Sequence, residues 1–146
     1  MKLVIQRVQS ASVSIEGRVV ANINKGFLVF VGLKTTDNED IFDWVINKIK
    51  NLRIFDDEDG LINKSIVDLD LEVLFVSQFT LYGDCLKGNR PSFIEAMNSV
   101  NAKSLYEKFV FDFKNSYSKV QNGVFGADMQ IALVNDGPIT IILEKN

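Results

Sequence analysis

The sequence predicts a single α/β domain over residues 1–146, with a mainly antiparallel, barrel-like or sandwich-like sheet, two main helices and a homodimeric assembly. Segments rich in Val and Ile, which are typical of strands, outnumber the segments with helical periodicity. Glycine-containing turns separate the first of these segments, as in an antiparallel meander. Several strands are apolar on both faces, and two helices cannot cover all of that surface in 146 residues. We therefore expect a second copy to bury the remainder.

The first half of the chain predicts three strands and then a helix. The predicted strands span residues 2–15, 18–23 and 26–33. The third strand is continuously apolar, which is typical of a strand that is buried on both faces. A helix is expected to open at Thr36 or Asp37, because Thr36 and Glu39 have the spacing of a capping box. Its apolar stripe consists of Ile41, Trp44, Val45, Ile49 and Leu52.

The second half predicts one more buried strand, a long helix and a closing hairpin. The strand spans residues 71–77 and the helix spans residues 101–117. The hairpin joins strands over 129–134 and 139–143 through Asn135-Asp136-Gly137, a strong turn signal between apolar runs. Pro138 then stands where the returning strand begins, although proline has no N–H to donate to a ladder. The Gly-Pro pair is therefore either an ordinary part of the turn or a tip that contacts another molecule.

The composition excludes several kinds of chemistry. The chain has no histidine, so Ser-His-Asp and Cys-His machinery and nearly every type of zinc site are excluded. Cys85 is the only cysteine, so no intrachain disulfide forms. No apolar run approaches the roughly 20 residues that a membrane span needs. We therefore expect a cytoplasmic protein with no membrane segment, no metal and no cofactor.

The charge balance bears on nucleic-acid binding. A net charge of −3 argues mildly against general nucleic-acid binding, and no DNA partner is expected. A local basic patch is still compatible with the 16 Lys and Arg residues. The loop Lys87-Gly88-Asn89-Arg90 is the best candidate for a phosphate contact, and the alternative is an ordinary solvated loop.

Polar side chains mark the end of the last buried strand. Ser77, Gln78 and Thr80 lie where this strand runs into a loop, and a rigid scaffold commonly holds site residues at such positions. The alternative is that their hydroxyls only cap or bond the local backbone. The second candidate site is the turn at 135–138, whose alternative is a plain hairpin.

Seven short segments, taken together in their order along the chain, point to one protein family far more specifically than any single segment does. They are Ile5-Gln6-Arg7-Val8, Ala11-Ser12-Val13, Arg53-Ile54-Phe55, Ser77-Gln78-Phe79-Thr80-Leu81, Lys87-Gly88-Asn89-Arg90-Pro91-Ser92-Phe93, Phe125-Gly126-Ala127-Asp128-Met129-Gln130 and Asn135-Asp136-Gly137-Pro138-Ile139-Thr140. Together they resemble the D-aminoacyl-tRNA deacylases, the D-tyrosyl-tRNA deacylase family, over essentially the whole chain. The resemblance implies a homodimeric proofreading hydrolase that cuts the ester joining a D-amino acid to the 3′ end of tRNA.

The resemblance also implies which residues act. The segment from Ser77 to Leu81 is expected to line the pocket that holds the terminal adenosine and the aminoacyl group, with Ser77, Gln78, Phe79 and Thr80 as its catalytic candidates. The Gly137–Pro138 bond is expected to be cis, and the tip to enter the partner's site beside this segment. There its backbone carbonyls meet the substrate's α-amino group and leave no room for an L side chain. Glycine has no side chain to exclude, so mischarged glycyl-tRNA is expected to be a substrate as well. A trans bond would mean that Pro138 is an ordinary turn residue.

Other positions take supporting roles in this interpretation. Arg7 is expected to hold the Gly-Pro loop through its backbone carbonyls, because a guanidinium offers several donors in fixed geometry. The alternative is an ordinary arginine on the strand surface. Phe125 and Met129 are expected to line the adenosine side of the pocket, since aromatic and thioether side chains suit a base face. Both could equally belong to the core.

Two mechanisms fit the residues available. In one, Thr80 attacks the ester as a nucleophile, although no histidine is present to take its proton. In the other, water attacks while backbone N–H groups near Phe79 and Thr80 stabilise the oxyanion, and the 2′-hydroxyl of the tRNA orients the water. The missing histidine favours the second mechanism.

Overall fold

The computed structural model describes all residues, 1–146, as eight strands and two α-helices. The strands are β1 (Lys2–Ile15), β2 (Arg18–Ile23), β3 (Gly26–Gly32), β4 (Phe55–Asp56), β5 (Ile62–Lys64), β6 (Glu72–Ser77), β7 (Val120–Asn122) and β8 (Gln130–Glu144). The helices are α1 (Phe42–Asn51) and α2 (Ser99–Ser116), and two short 3-10 helices span Glu39–Ile41 and Phe79–Tyr82.

β1 organises a mixed, barrel-like sheet. It pairs antiparallel with β3 over residues 2–8 and with β2 over residues 11–15, which together occupy one of its edges. β8 pairs antiparallel with its other edge over nearly the whole length. We expected mainly antiparallel pairing, but β6 runs parallel to both β3 and β7. The connections from β3 to β6 and from β6 to β7 contain α1 and α2, and helical crossovers of this kind return the chain in the same direction.

Apolar side chains form two cores on opposite faces of the sheet. The larger core packs α1 and α2 against the sheet around Phe27, Phe75 and Phe109. The smaller core, which includes Leu28 and Leu74, contains buried residues from β1, β2, β3 and β6 only, so the curved sheet itself encloses it. β3 and β6 therefore contribute to both cores. The predictions that β3 is buried on both faces and that β6 is a buried strand are confirmed.

The start of the first helix differs from the expected capping box. Asn38 caps the 3-10 helix that precedes α1, and its side-chain oxygen accepts from the Asp40 N–H at 3.0 Å. The carboxylate of Asp37 instead accepts from the Lys34 N–H at 2.7 Å and from the Met1 ammonium at 2.6 Å. The prediction of a Thr36–Glu39 capping box is wrong, because Asn38 supplies the cap and Asp37 bonds within the turn before it.

The predicted C-terminal hairpin is also wrong. Residues 130–144 form one strand, because the apolar runs on both sides of the turn pair with β1 and not with each other. Val8 faces Asn135 and Gln6 faces Thr140, so residues 136–139 all stand opposite Arg7. The Asn-Asp-Gly-Pro segment is therefore a local excursion from a continuous strand. We call residues 136–139 the β8 excursion.

The Gly137–Pro138 bond is trans, since the chain contains no cis peptide bond. The expectation of a cis bond is therefore corrected. Gly137 has φ +100°, a conformation that glycine adopts without steric cost. This left-handed residue lets the backbone leave the ladder and return to it through trans bonds alone. None of the helices is both long and apolar enough to cross a membrane.

Candidate functional site

A cleft of ≈ 310 Å³ opens where β6 ends. One wall is the strand end, Ser77 to Phe79, and the opposite wall is the connection from β7 to β8, Phe125 to Met129. Val76 and Ile131, from the two adjoining strands, close its base. The cleft therefore lies at the carboxyl end of β6, the position at which parallel strands commonly present ligand-binding groups.

The strand end is held in place by its neighbour β3. The Gln78 N–H donates to the Val31 carbonyl at 2.7 Å, and the chain then turns into the 3-10 helix. This turn passes very close to Gly32, because a Cβ there would lie 3.0 Å from the Leu81 Cβ and 3.2 Å from the Gln78 carbonyl oxygen. A glycine at this position therefore lets the wall of the cleft fold directly over the end of β3.

Phe79 offers an aromatic surface at the mouth of the cleft. Its side chain is 57% exposed, although it packs edge-on against Phe93 with ring centroids 5.1 Å apart. A large aromatic side chain that stays accessible beside a cleft suits stacking against a base. Across the cleft, Phe125 packs against Tyr106 at a centroid distance of 5.7 Å.

Thr80 does not line the cleft, although its neighbours Ser77, Gln78 and Phe79 do. Its hydroxyl accepts a hydrogen bond from the side-chain amide of Gln78. Thr80 is exposed on the 3-10 helix, and no titratable side chain is hydrogen-bonded to it.

Asp128 is a cleft residue that was not singled out from the sequence, and it is the only ionisable side chain among those lining the cleft. It lies within the segment from Phe125 to Met129, but a single carboxylate without a histidine partner gives no recognisable catalytic pattern. Lys87 and Arg90 lie in an exposed loop and do not line the cleft. No group of three His, Cys, Asp or Glu side chains is close enough to hold a metal ion.

Arg7 lies in the ladder opposite the β8 excursion and is only 5% exposed. Its Nη1 donates to the Ile54 carbonyl at 2.7 Å, and its Nε donates to the Asp136 carbonyl at 3.1 Å. The carboxylates of Asp136 and Asp56 lie 3.2 and 3.5 Å from its nitrogens and balance its charge. The guanidinium therefore joins β1, the segment before β4 and the excursion in one network.

Asn135 closes the base of the β8 excursion. Its side-chain amide donates to the Arg7 carbonyl at 2.9 Å and to the Ile139 carbonyl at 3.2 Å. The backbone of Gly137 passes close above Arg7, because a Cβ on Gly137 would lie 2.3 Å from Nη2. Gly137 and Pro138 themselves are exposed.

The expected site residues thus fall into two groups in one chain. The cleft brings together Ser77, Gln78, Phe79, Phe125 and Met129. The second group contains Arg7, Gly137 and Pro138, and none of these lines the cleft of the same chain. Thr80 lies beside the first group, with its side chain outside the cleft.

Comparison with known proteins gives a consistent family. The model of the family described as D-Tyr-tRNA(Tyr) deacylase matches residues 4–144. A D-aminoacyl-tRNA deacylase of Thermosipho africanus is 52% identical over 145 residues, which are 99% of this chain and 97% of that protein. A D-aminoacyl-tRNA deacylase of Clostridium novyi is 48% identical over 145 residues, with the same coverage of 99% and 97%.

Two solved structures have the same fold. A c-Myc DNA unwinding element binding protein is 41% identical, with a TM-score of 0.95 over 100% of this chain and 99% of that one. A probable eukaryotic D-amino acid tRNA deacylase is 15% identical, with a TM-score of 0.84 over 97% of both chains. At that identity, the second likeness concerns the fold alone.

The Arg7 network can be tested by replacing the guanidinium with an ammonium. Arg7→Lys keeps the charge but cannot reach the Ile54 and Asp136 carbonyls with separate donors. We expect the free energy of unfolding, measured by urea titration, to fall by about 1–3 kcal/mol. Amide hydrogen exchange over residues 136–139 should become faster. Arg18→Lys on the exposed face of β2 is the matched control, and equal effects of the two substitutions would contradict this role for Arg7.

Proposed function

The chain belongs to the D-Tyr-tRNA(Tyr) deacylase family, and from this premise we propose that it hydrolyses the ester bond of D-aminoacyl-tRNA. The products are free tRNA and the D-amino acid, so the enzyme is a hydrolase acting on ester bonds. The observation that carries the proposal is the cleft at the end of β6, which is lined by Ser77, Gln78 and Phe79. A cleft of ≈ 310 Å³ suits the 3′-terminal nucleoside and part of the aminoacyl group, with the tRNA body outside.

The proposed mechanism uses water as the nucleophile. The water oxygen bonds to the ester carbonyl carbon, the bond to the ribose oxygen breaks, and that oxygen takes a proton. Phe79 and Thr80 are the first two residues of the 3-10 helix, so their backbone N–H groups have no acceptor within the helix. In the proposed mechanism these two N–H groups stabilise the oxyanion. The 2′-hydroxyl of the tRNA orients the attacking water. The position of Thr80 outside the cleft supports this mechanism over direct attack by its hydroxyl.

A homodimer is part of the proposal. β8 pairs only with β1, so its outer edge carries unpaired backbone groups along much of its length. Val134 and Ile142 on this strand are 56% and 69% exposed. Long apolar edge strands are usually covered, and a second copy supplies a complementary surface.

We propose that selectivity for the D form arises across the dimer. The tip at Gly137 and Pro138 does not line its own cleft, which supports a role in the cleft of the partner subunit. A rigid backbone wall there excludes an L side chain without reading the identity of a D side chain. Mischarged glycyl-tRNA passes the same filter, because glycine has no side chain. The trans bond meets the condition under which Pro138 is an ordinary turn residue, and it removes the argument for two carbonyls aimed the same way. The filter is therefore proposed as a steric wall formed by the backbone of the tip at Gly137.

The tRNA contact is proposed to be small and confined to the acceptor end. The cleft contains no cationic side chain, and the exposed Lys87 and Arg90 are the proposed phosphate contacts. A net charge of −3 disfavours a large nucleic-acid footprint and gives no support for DNA binding. Action on aminoacyl-tRNA supports the proposal that the protein works in the cytoplasm.

The activity itself is tested with purified protein and a matched pair of substrates. We expect D-aminoacyl-tRNA to be hydrolysed with a kcat/KM at least about 10²-fold higher than its L counterpart, because a steric wall rejects the L side chain. Preference for the L form would contradict the proposal. Binding of the tRNA 3′ end without turnover would indicate an RNA-binding module.

Thr80→Ala separates the two mechanisms. With water as the nucleophile, kcat for D-aminoacyl-tRNA should change by less than about tenfold, because the backbone N–H groups remain. Ser77→Ala serves as a comparison within the wall of the cleft. A fall of several orders of magnitude in Thr80→Ala, with substrate binding retained, would assign the attack to the Thr80 hydroxyl.

Gly137→Ala tests the filter. The new Cβ would lie 2.3 Å from Arg7 Nη2 and would stand on a residue with φ +100°, so either the tip or the Arg7 side chain must shift. We expect the ratio of D to L turnover to fall by about tenfold or more. Gly60→Ala is the control, because Gly60 also has a positive φ (+75°) but a Cβ added there would meet no atom within 4 Å. Full D activity with full L rejection in Gly137→Ala would mean that the tip is not the filter.

A further inference from the structure

A second, much smaller cavity lies behind the wall of the cleft. Its volume is ≈ 20 Å³, and it shares Ser77, Gln78, Phe79 and Phe125 with the cleft. Seven of its nine lining residues are hydrophobic. Tyr106, from the middle of α2, lines this inner cavity but does not line the cleft. The inner cavity therefore lies between the helix layer and the end of β6.

Tyr106 brings a polar group into these apolar surroundings. The residue is 2% exposed, and its hydroxyl makes no hydrogen bond to any protein group. A buried hydroxyl without a partner is destabilising, so native structures usually provide one. Burial raises the pKa of the Tyr106 hydroxyl, so at neutral pH the group stays protonated and can donate.

The size of the inner cavity limits what the partner can be. A single water needs about 10–15 Å³ of such space, whereas a base or an amino-acid side chain needs far more. The volume of ≈ 20 Å³ therefore fits one water. A buried water also needs at least two polar partners. Among the side chains that line the cavity, only Tyr106 and Ser77 carry hydroxyl groups, and the Nε2 group of Gln78 already donates to Thr80.

We propose that the inner cavity binds one ordered water that bridges the hydroxyls of Tyr106 and Ser77, which makes Tyr106 a positioning residue for the wall of the cleft. The bridge ties α2 to the last residue of β6. Ser77 lines both spaces, so its placement is the route by which Tyr106 affects the cleft. The water site stands independently of the activity, whereas the effect on turnover rests on the proposed function.

Tyr82 provides a matched control in the same chain. It is 5% exposed, and its hydroxyl also has no protein partner. Its ring faces the Lys2 ammonium, 4.9 Å from the centroid, and it lines neither the cleft nor the inner cavity. Removing its hydroxyl therefore changes a buried tyrosine in the same way, without touching the proposed water.

The experiment compares Tyr106→Phe and Tyr82→Phe in the full-length protein. Tyr106→Phe is expected to lower the melting temperature, because the water loses a partner, and to lower kcat for D-aminoacyl-tRNA by about tenfold with KM unchanged. Tyr82→Phe is expected to keep kcat and KM at wild-type values. A high-resolution crystal structure is expected to show the water in the wild type and to lack it in Tyr106→Phe.

The water site, the positioning role of Tyr106 and the proposed function would each be contradicted by a different result. An empty inner cavity in the wild-type crystal structure, with Tyr106→Phe as stable as or more stable than the wild type, would overturn the water site. A water that is present while Tyr106→Phe keeps full kcat would overturn the positioning role. A wild-type protein that hydrolyses no D-aminoacyl-tRNA would overturn the proposed function and the positioning role with it, and the crystal structures and melting temperatures would still decide the water site.

Discussion

The buried guanidinium of Arg7 is the interaction on which the arrangement of the two β8 halves depends. Both halves pair with β1, and only the residues opposite Arg7 leave the ladder. Without the guanidinium, the Asp136 carbonyl and the Ile54 carbonyl would lose their donor. The adjacent carboxylates of Asp56 and Asp136 compensate its charge, so the burial does not leave an isolated ion. The excursion is therefore an ordered part of the sheet.

The position of the cleft follows from chain direction. The helical crossovers make β6 parallel to β3, so the carboxyl ends of both strands reach the same edge of the sheet. β3 ends at a glycine, and the chain after β6 folds over it. This leaves room for the connection from β7 to β8 to form the opposite wall. The site is thus built from one strand end and one loop, both fixed by the same sheet.

Features that depend on local chemistry were predictable from the sequence. The bounds of β1 and β2 match the prediction, whereas α2 (Ser99–Ser116) begins two residues before the predicted 101–117 and ends one residue earlier. The burial of β3 and β6 follows from their continuously apolar sequences. The hairpin prediction failed because a turn motif indicates that the chain bends, but it does not indicate which strand each of the two flanking apolar runs pairs with. The parallel pairing of β6 escaped prediction for the same reason. The Thr36 capping box failed because Asp37 pairs with the chain's first residue, a contact that no local pattern contains.

The cleft was predictable in part. The polar end of β6 was a candidate site from the residues themselves, whereas the segment at 125–129 was found through the resemblance to a family, and periodicity alone would not have brought the two together. The inner cavity depends on how α2 packs against the end of β6, and the place of Asp128 in the cleft depends on how the connection from β7 to β8 folds beside that strand end. Only the folded chain specifies either arrangement. The cis bond at Gly137–Pro138 was expected from the resemblance, and the local sequence does not decide the isomer, because an X-Pro bond can adopt either one.

The β8 excursion also affects how readily the protein can aggregate. A regular exposed edge of this length would template the addition of a foreign strand, as in aggregates that grow by edge-to-edge pairing. The ladder of β8 is interrupted between Asn135 and Thr140, which leaves two short stretches out of register with each other. An unrelated straight strand can match only one of them, whereas a copy with the same interruption can match both. The irregularity thus restricts which chains can extend the sheet.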